Sequence, residues 1–183
     1  MIFPEQFPPL VTERLQLRAV TEDDYEMVYV LRSDPEMMRY IPRPLCADYR
    51  DALKLIRTMK ENHEKQESLN WVITLKDSDE LIGTVGYVRI KTEHNRAELG
   101  YMIHSREQGK GYMKEAVAAV IHYGFKEMGL HSIEAVIDPG NIASEKILQH
   151  FGFEKEGHFR ENFLFEGKYL DSVCYTLFEN SSI

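Results

Sequence analysis

Apolar residues recur along this chain with two different periods, and the changes between them divide it into elements. Glu13 to Val20 alternates as a half-buried strand does. Thr21, followed by Glu22, Asp23 and Asp24, marks a helix start, because its hydroxyl can accept an amide proton while the carboxylates complement the positive helix end. Tyr25, Val28 and Leu31 continue as one apolar face. Asp34-Pro35 reads as a second cap with proline at N1, ahead of a short turn through Met37, Met38 and Tyr40 that Pro42 and Pro44 stop. From Asp48 to about Gln66, Tyr49, Ala52, Leu53, Ile56 and Met59 repeat at helical spacing beside a charged face.

Strand patterns take over at Trp71 to Leu75, Leu81 to Ile90 and Arg96 to Ile103, the first two joined by the polar turn Lys76-Asp77-Ser78-Asp79, which favours a meander. Met113, Ala116, Val117, Val120, Ile121, Phe125 and Met128 make a wide apolar helix face that Gly129 can end with a positive dihedral. Ile133 to Ile137 is a short apolar strand. The turn Asp138-Pro139-Gly140-Asn141 leads into a helix whose inward face carries Ile142, Ile147, Leu148 and Phe151, with Gly152 at its end. Phe153, Phe159, Phe163 and Phe165 fall in a following strand region, and Tyr169 to Phe178 returns as its antiparallel neighbour. The predicted order is β-α-α-β-β-β-α-β-α-β-β, an α/β or α+β chain with a largely antiparallel sheet.

The 183 residues suit one domain, expected over 9–178, with an N-terminal arm at 1–8 and a tail at 179–183. Acidic residues outnumber Lys plus Arg by 30 to 22, and the net charge of -8 disfavours a broad surface for phosphate backbones, so no direct nucleic-acid contact is expected. Cys46 and Cys174 are the two cysteines and stand far apart, which fits a reduced, cytoplasmic protein better than a disulfide scaffold. No apolar run approaches the roughly 20 residues that cross a bilayer, and no membrane partner is expected.

Arg106-Glu107-Gln108-Gly109-Lys110-Gly111 stands between the strand ending Gly100-Tyr101-Met102-Ile103 and the helix beginning near Tyr112. Two glycines there let the backbone turn tightly and aim successive amides at phosphate oxygens at a positive helix end. The segment lacks the GxxxxGK[ST] pattern, so a nucleoside triphosphatase reading is poor. Lys110 and Lys114 add local charge, although Lys110 can equally point into water while only backbone meets a ligand.

These residues resemble the GCN-related N-acetyltransferases (GNAT), especially the branch that acetylates ribosomal-protein N-termini. The likeness runs through Glu13-Arg14-Leu15, Glu98-Leu99-Gly100-Tyr101, the R-x-x-G-x-G segment, Asp138-Pro139-Gly140-Asn141-Ile142-Ala143-Ser144 and Phe151-Gly152-Phe153. It implies a single-domain GNAT fold whose sheet splays where acetyl coenzyme A enters. Tyr101, Met102 and Ile103 would take the pantetheine arm, and Gln108, Gly109, Lys110, Gly111 and Tyr112 the diphosphate. Gln108 stands where an aromatic residue often precedes Gly-Lys-Gly, and Met113 where a small residue is common.

Acetyl transfer needs a neutral amine, a polarised carbonyl and a proton for the departing thiolate. An α-amine, with a reference pKa of about 8, needs less help than a lysine amine at about 10.4, which modestly favours terminal amines. Glu98, on the strand entering the cleft, is the candidate base, acting directly or through water; the alternative is a solvated surface carboxylate. Asn141 either caps the next helix or, as the resemblance implies, contacts coenzyme A. Ser144 is the candidate acid for the thiolate or a simple polar contact, and a backbone amide near Ile103 is a candidate oxyanion donor. A covalent serine mechanism is disfavoured, because there is no GxSxG elbow.

Cys46 and Cys174 have no visible activating partner. The 7 histidines show no HExxH or compact ligand spacing, so no metal is expected, and His104 alone stands near the loop. Trp71, Phe159, Phe163 and Phe165 read as core rather than as a base-stacking platform. Met37, Met38 and Tyr40 either line an acceptor groove or join the core, and Asp171 either orients the acceptor or faces solvent. The leading expectation is transfer from acetyl coenzyme A to the N-terminal α-amine of a ribosomal protein by direct attack. A small-molecule amine acceptor and a noncatalytic acyl-coenzyme A sensor stand as alternatives, and a homodimer could complete the acceptor groove.

Overall fold

The computed structural model describes residues 1–179; residues 180–183 of the expected tail lie outside the described residues. Eight strands form one sheet in the order β1-β2-β3-β4-β5-β6-β8-β7, comprising β1 (Leu10–Val11), β2 (Leu15–Arg18), β3 (Leu69–Leu75), β4 (Leu81–Lys91), β5 (Arg96–Ile103), β6 (Ser132–Ile137), β7 (Glu154–Phe165) and β8 (Lys168–Phe178). Every neighbouring pair is antiparallel except β5 with β6. That exception follows from connectivity: β5 and β6 are joined through the helix α4 (Tyr112–Lys126), and a crossover returns a strand parallel. The two-residue β1 is too short to carry a period and was not visible in the pattern.

Helices α1 (Tyr25–Ser33), α2 (Pro35–Met38) and α3 (Tyr49–Glu64) cover one face, while α4 and α5 (Ile142–His150) cover the other. Carboxylate caps form at two of them, the one at Asp34 as predicted. The Asp48 carboxylate accepts from Arg50 N and Asp51 N, and Asp34 accepts from Glu36 N with Pro35 at the first helical position.

Two apolar clusters lie on opposite sides of the sheet. One joins Trp71, Tyr87 and Leu99 to the buried face of α4, and the other joins Val72, Leu81 and Met102 to Val28, Leu31, Met38 and Ile56. Full burial of each large side chain contributes roughly 1.5–3 kcal/mol, so these layers hold the helices against the sheet. At Gly124 a Cβ would overlap the Tyr87 hydroxyl, which donates to Val120 O at 2.7 Å; glycine there lets α4 approach β4 closely. The expected arm packs back on the body: Ile2 N donates to Met128 O, Trp71 Nε1 donates to Pro8 O, and the Phe7 ring meets Trp71 edge-on.

Two expectations about burial need correction. Phe159 and Phe163 are 53% and 40% exposed, because the β7–β8 hairpin extends past the helices that cover the rest of the sheet. Ile142 is also exposed, as the first residue of α5, whose buried face begins at Ser144 and Leu148.

Candidate active site

The sheet opens between β5 and β6, the only parallel pair among the described residues. β5 and β6 pair over Arg96↔Ser132, Ala97↔Ile133 and Glu98↔Glu134 and then diverge, although β5 continues to Ile103 beside β4 and β6 to Ile137 beside β8. His104 N donates to Ile82 O, so the alternation of an antiparallel ladder turns the amides and carbonyls of Ile103 and Tyr101 away from β4 and into this gap. A cavity of about 660 Å³ occupies it. Of the residues singled out from sequence, it gathers Tyr101, Met102, Ile103, Gln108, Gly109, Gly111, Tyr112, Asn141 and Ser144 on one wall or another.

Its floor is the start of α4. Gly109 and Gly111 have φ of 75° and 82°, the left-handed region that glycine enters without a Cβ penalty. Gln108 N donates to Ser105 O and Glu115 N to Gly111 O, whereas among the described residues no acceptor meets the six backbone amides from Gly109 to Lys114. Such a run of orphan N–H groups at a positive helix end is an anion cradle. It is braced from the far edge of the sheet: Arg14 Nη1 donates to Lys110 O, its Nε to Glu115 Oε2 at 2.7 Å, and its guanidinium lies 4.7 Å from the Tyr112 ring centre. The Lys110 ammonium turns away to Glu107 Oε2 at 3.0 Å, so only the Lys110 backbone is offered to the cradle; Lys114, instead, lines the cavity.

Deeper in, the Ser144 hydroxyl is buried and 2.8 Å from the Tyr101 hydroxyl, while Ser144 N donates to Asn141 Oδ1 at 3.1 Å. Asn141 therefore caps α5 through its oxygen and keeps its amide NH₂ for another partner. Burial pushes the Tyr101 phenol up to about 12, the Ser144 hydrogen bond opposing, so Tyr101 stays neutral and able to donate at physiological pH. His104, by contrast, accepts Arg106 N at Nδ1 and serves the turn.

Glu98 lies outside this cavity, at the last paired position before the strands part. Its carboxyl is pushed up, first by burial and then by the neighbouring Glu134, with the cations of Arg89, Lys91 and Arg43 pulling the other way. Arg89 Nη1 is 3.1 Å from Glu98 Oε2 but poorly aligned, and that oxygen has no hydrogen-bond partner. Glu134 is better compensated, by Lys91 at 2.8 Å and Arg96 at 3.4 Å.

A second hollow of about 420 Å³ lies beside the first, between the segment Pro35–Leu45, the end of β6 and the β7–β8 hairpin. Arg39, Tyr40 and Ile41 border both. Met38 is buried in the core, while Met37 and Tyr40 face the larger cavity. Asp171 sits on the wall of the smaller one, accepting from Glu161 N at 2.8 Å and lying 2.7 Å from His158 Nε2. The Arg14 brace and the side chains of Arg39, Ile41, Arg43 and Leu45 were not found by sequence reasoning as site components, whereas Met37 and Tyr40 were candidates for a groove. Arg14 had shown only as part of a motif, and its link to Glu115 spans 101 residues.

A splayed parallel pair with a run of unpartnered helix-start amides beneath it fits a group-transfer enzyme with an anionic donor. Residues 14–154 match the family model described as "Acetyltransferase (GNAT) domain", and the chain belongs to that family. It is 34% identical over 171 residues to the uncharacterized N-acetyltransferase YoaA of Bacillus subtilis, covering 93% of this chain and 97% of the relative. It is 32% identical over 120 residues to the [ribosomal protein uS5]-alanine N-acetyltransferase of Escherichia coli, 65% of this chain and 62% of that one. The crystal structure of a GNAT-family acetyltransferase from Bacillus anthracis superimposes with a TM-score of 0.83 at 28% identity, covering 94% and 99% of the two chains. The protein is an acetyl-CoA-dependent acetyltransferase, and acetyl-CoA is its cosubstrate.

Proposed function

We propose that the protein acetylates the N-terminal α-amine of a polypeptide, a ribosomal protein being the model acceptor, by direct attack on acetyl-CoA. The observation that carries this reading is the open hollow of about 420 Å³ that borders the donor cavity along Arg39–Ile41 and has room for a chain end beside it. Likeness to the uS5-alanine enzyme supports the acceptor class.

In this reading the amides of Gly109 to Lys114 hold the diphosphate, with Gln108 and Tyr112 at its sides, and the outward edge of β5 from Tyr101 to Ile103 receives the pantetheine arm. Asn141 uses its free NH₂ on that arm. The Ile103 amide faces the gap and donates to the carbonyl oxygen as negative charge develops there. Glu98 takes the amine proton through a water, since its carboxylate stands outside the donor cavity and burial keeps its proton affinity above that of a solvated glutamate. Ser144 Oγ gives its proton to the leaving thiolate, and the Tyr101 hydroxyl fixes the serine rotamer. The acetyl carbon thus exchanges its bond to sulfur for a bond to nitrogen without a covalent enzyme intermediate.

A mass-resolved screen of free and N-terminally blocked peptides with acetyl-CoA tests this. Acetylation at the α-amine, abolished by blocking, is expected; transfer only to small amines or to lysine side chains overturns it.

A further inference from the structure

Glu98 and Glu134 are direct neighbours across the last rung of the parallel pair β5–β6, two carboxylates side by side where the strands begin to part. Ala97 and Leu99 pack towards α4, so strand alternation puts Glu98 on the opposite face of the sheet. Glu134 is buried beside it, and the cations around the pair are divided unequally. Lys91 Nζ reaches past β5 from β4 to Glu134 Oε1 at 2.8 Å, and Arg96 Nη2 lies 3.4 Å from its Oε2. Glu98 is left with Arg89 at 3.1 Å, in poor alignment, and with a buried Oε2 that has no hydrogen-bond partner among the described residues. Arg43 acts on Glu98 from the segment after α2, and Cys174 of β8 senses both carboxylates together with Glu156 of β7. Of two carboxylates this close and out of bulk water, the one with the poorer supply of cations binds a proton more firmly.

We propose that Glu134 is a positioning residue for acetyl transfer: by engaging Lys91 and Arg96, and by placing its own charge beside Glu98, it keeps the Glu98 carboxylate free to act as a base. The proposal rests on the reading of Glu98 as the base and adds the residue that prepares it. A glutamate locked by two cations is a poor base, because accepting a proton would break both ion pairs. In each turnover the acceptor N–H bond breaks, the proton passes through water to Glu98, and Glu98 then releases it to solvent. Glu134 touches neither the substrate nor that proton. Its effect falls on the strength of the base alone, and acetyl-CoA, held in a cavity that neither glutamate lines, is indifferent to it.

Two readouts on the full chain test this. The first is the titration midpoint of the Glu98 carboxyl, followed by carbon NMR in protein labelled at glutamate and assigned by its loss in Glu98→Gln. The second is the pH profile of kcat for a peptide with a free α-amine; that amine titrates identically in every variant, so differences between profiles belong to the enzyme. Glu134→Gln should lower the midpoint by about one unit and the kcat plateau roughly threefold, with KM for acetyl-CoA unchanged. Glu134→Asp, which keeps the charge, should restore most of both. Lys91→Met should move the midpoint upwards, and it reads the same coupling if Glu134→Gln does not fold. An unmoved midpoint in Glu134→Gln, with turnover still lost in Glu98→Gln, overturns the role of Glu134 and keeps Glu98 as the base. A midpoint that falls while the kcat profile stays as in wild type removes Glu98 as the base, and this proposal with it. A loss of kcat at an unchanged midpoint, not repaired by Glu134→Asp, is structural and also overturns the proposal.

Discussion

The larger cavity between β5 and β6 and the smaller hollow beside it share a wall at Arg39–Ile41 but are made differently. The first is mainly backbone: six amides with no internal acceptor, two glycines at positive φ, and a strand edge freed where β5 and β6 part. The second is mainly side chain, assembled from three stretches of sequence, and its polarity depends on which charges already have partners. Backbone geometry tolerates surface substitution and reads the same ligand whatever the side chains, whereas a hollow walled by exposed side chains can change its ligand one residue at a time. That is the physical basis for one fold keeping its donor while its acceptors differ.

The largest effect that would sharpen this contrast is on the chemical step. Ser144→Ala should cut the single-turnover rate by about a hundredfold while acetyl-CoA affinity stays near wild type, as read by rapid quench and calorimetry. An unchanged rate would show that the proton reaches the thiolate from elsewhere. Glu98→Gln should cost a similar factor, most at low pH where fewer amines are neutral. Its effect on stability has a definite sign. The native carboxyl has a raised pKa, so ionising it opposes folding, and that cost is absent when it is protonated and appears as pH rises through the native value. The Gln variant should therefore gain Tm over wild type at pH 8 and lose that advantage at pH 4; the reverse trend would mean that Arg89 dominates.

A smaller effect separates backbone from side chain directly. Gly111→Val, which places a β-branched residue at positive φ, should weaken acetyl-CoA by about tenfold through strain in the cradle. Lys110→Ala should change affinity by less than about twofold, because a surface ion pair of this kind contributes little and its ammonium is turned to Glu107. Equal losses in the two variants would break the comparison. Between these two lies Tyr101→Phe: removing one hydrogen bond of about 1 kcal/mol should slow transfer roughly fivefold without altering cofactor affinity.

Much of the donor site could be read in one dimension because its signals are local. Gly109, Gly111 and the apolar face from Met113 to Phe125 lie within twenty residues, and the left-handed dihedrals and the helix start follow from residue type. The same locality made the Asp34-Pro35 cap legible. Readings failed where a neighbour distant in sequence decides. Phe159 and Phe163 have the alternation of buried strand residues, but no helix covers the hairpin that carries them. The direction of the Lys110 ammonium and the route by which Glu98 could act were left open by the sequence; the fold turns the first to Glu107 and sets the second at the paired end of β5, outside the larger cavity.

Residue order alone therefore determined all of the longer elements and the glycine turn, since each depends on periodicity or on a dihedral that a residue type permits. Tertiary structure decided where the sheet opens, that Arg14 braces the loop across a separation of 96 residues, and that Arg39, Tyr40 and Ile41 border two hollows at once. The reason is that pairing and desolvation are properties of contacts, and the same arginine or carboxylate is spent or available according to what the fold sets within reach of it.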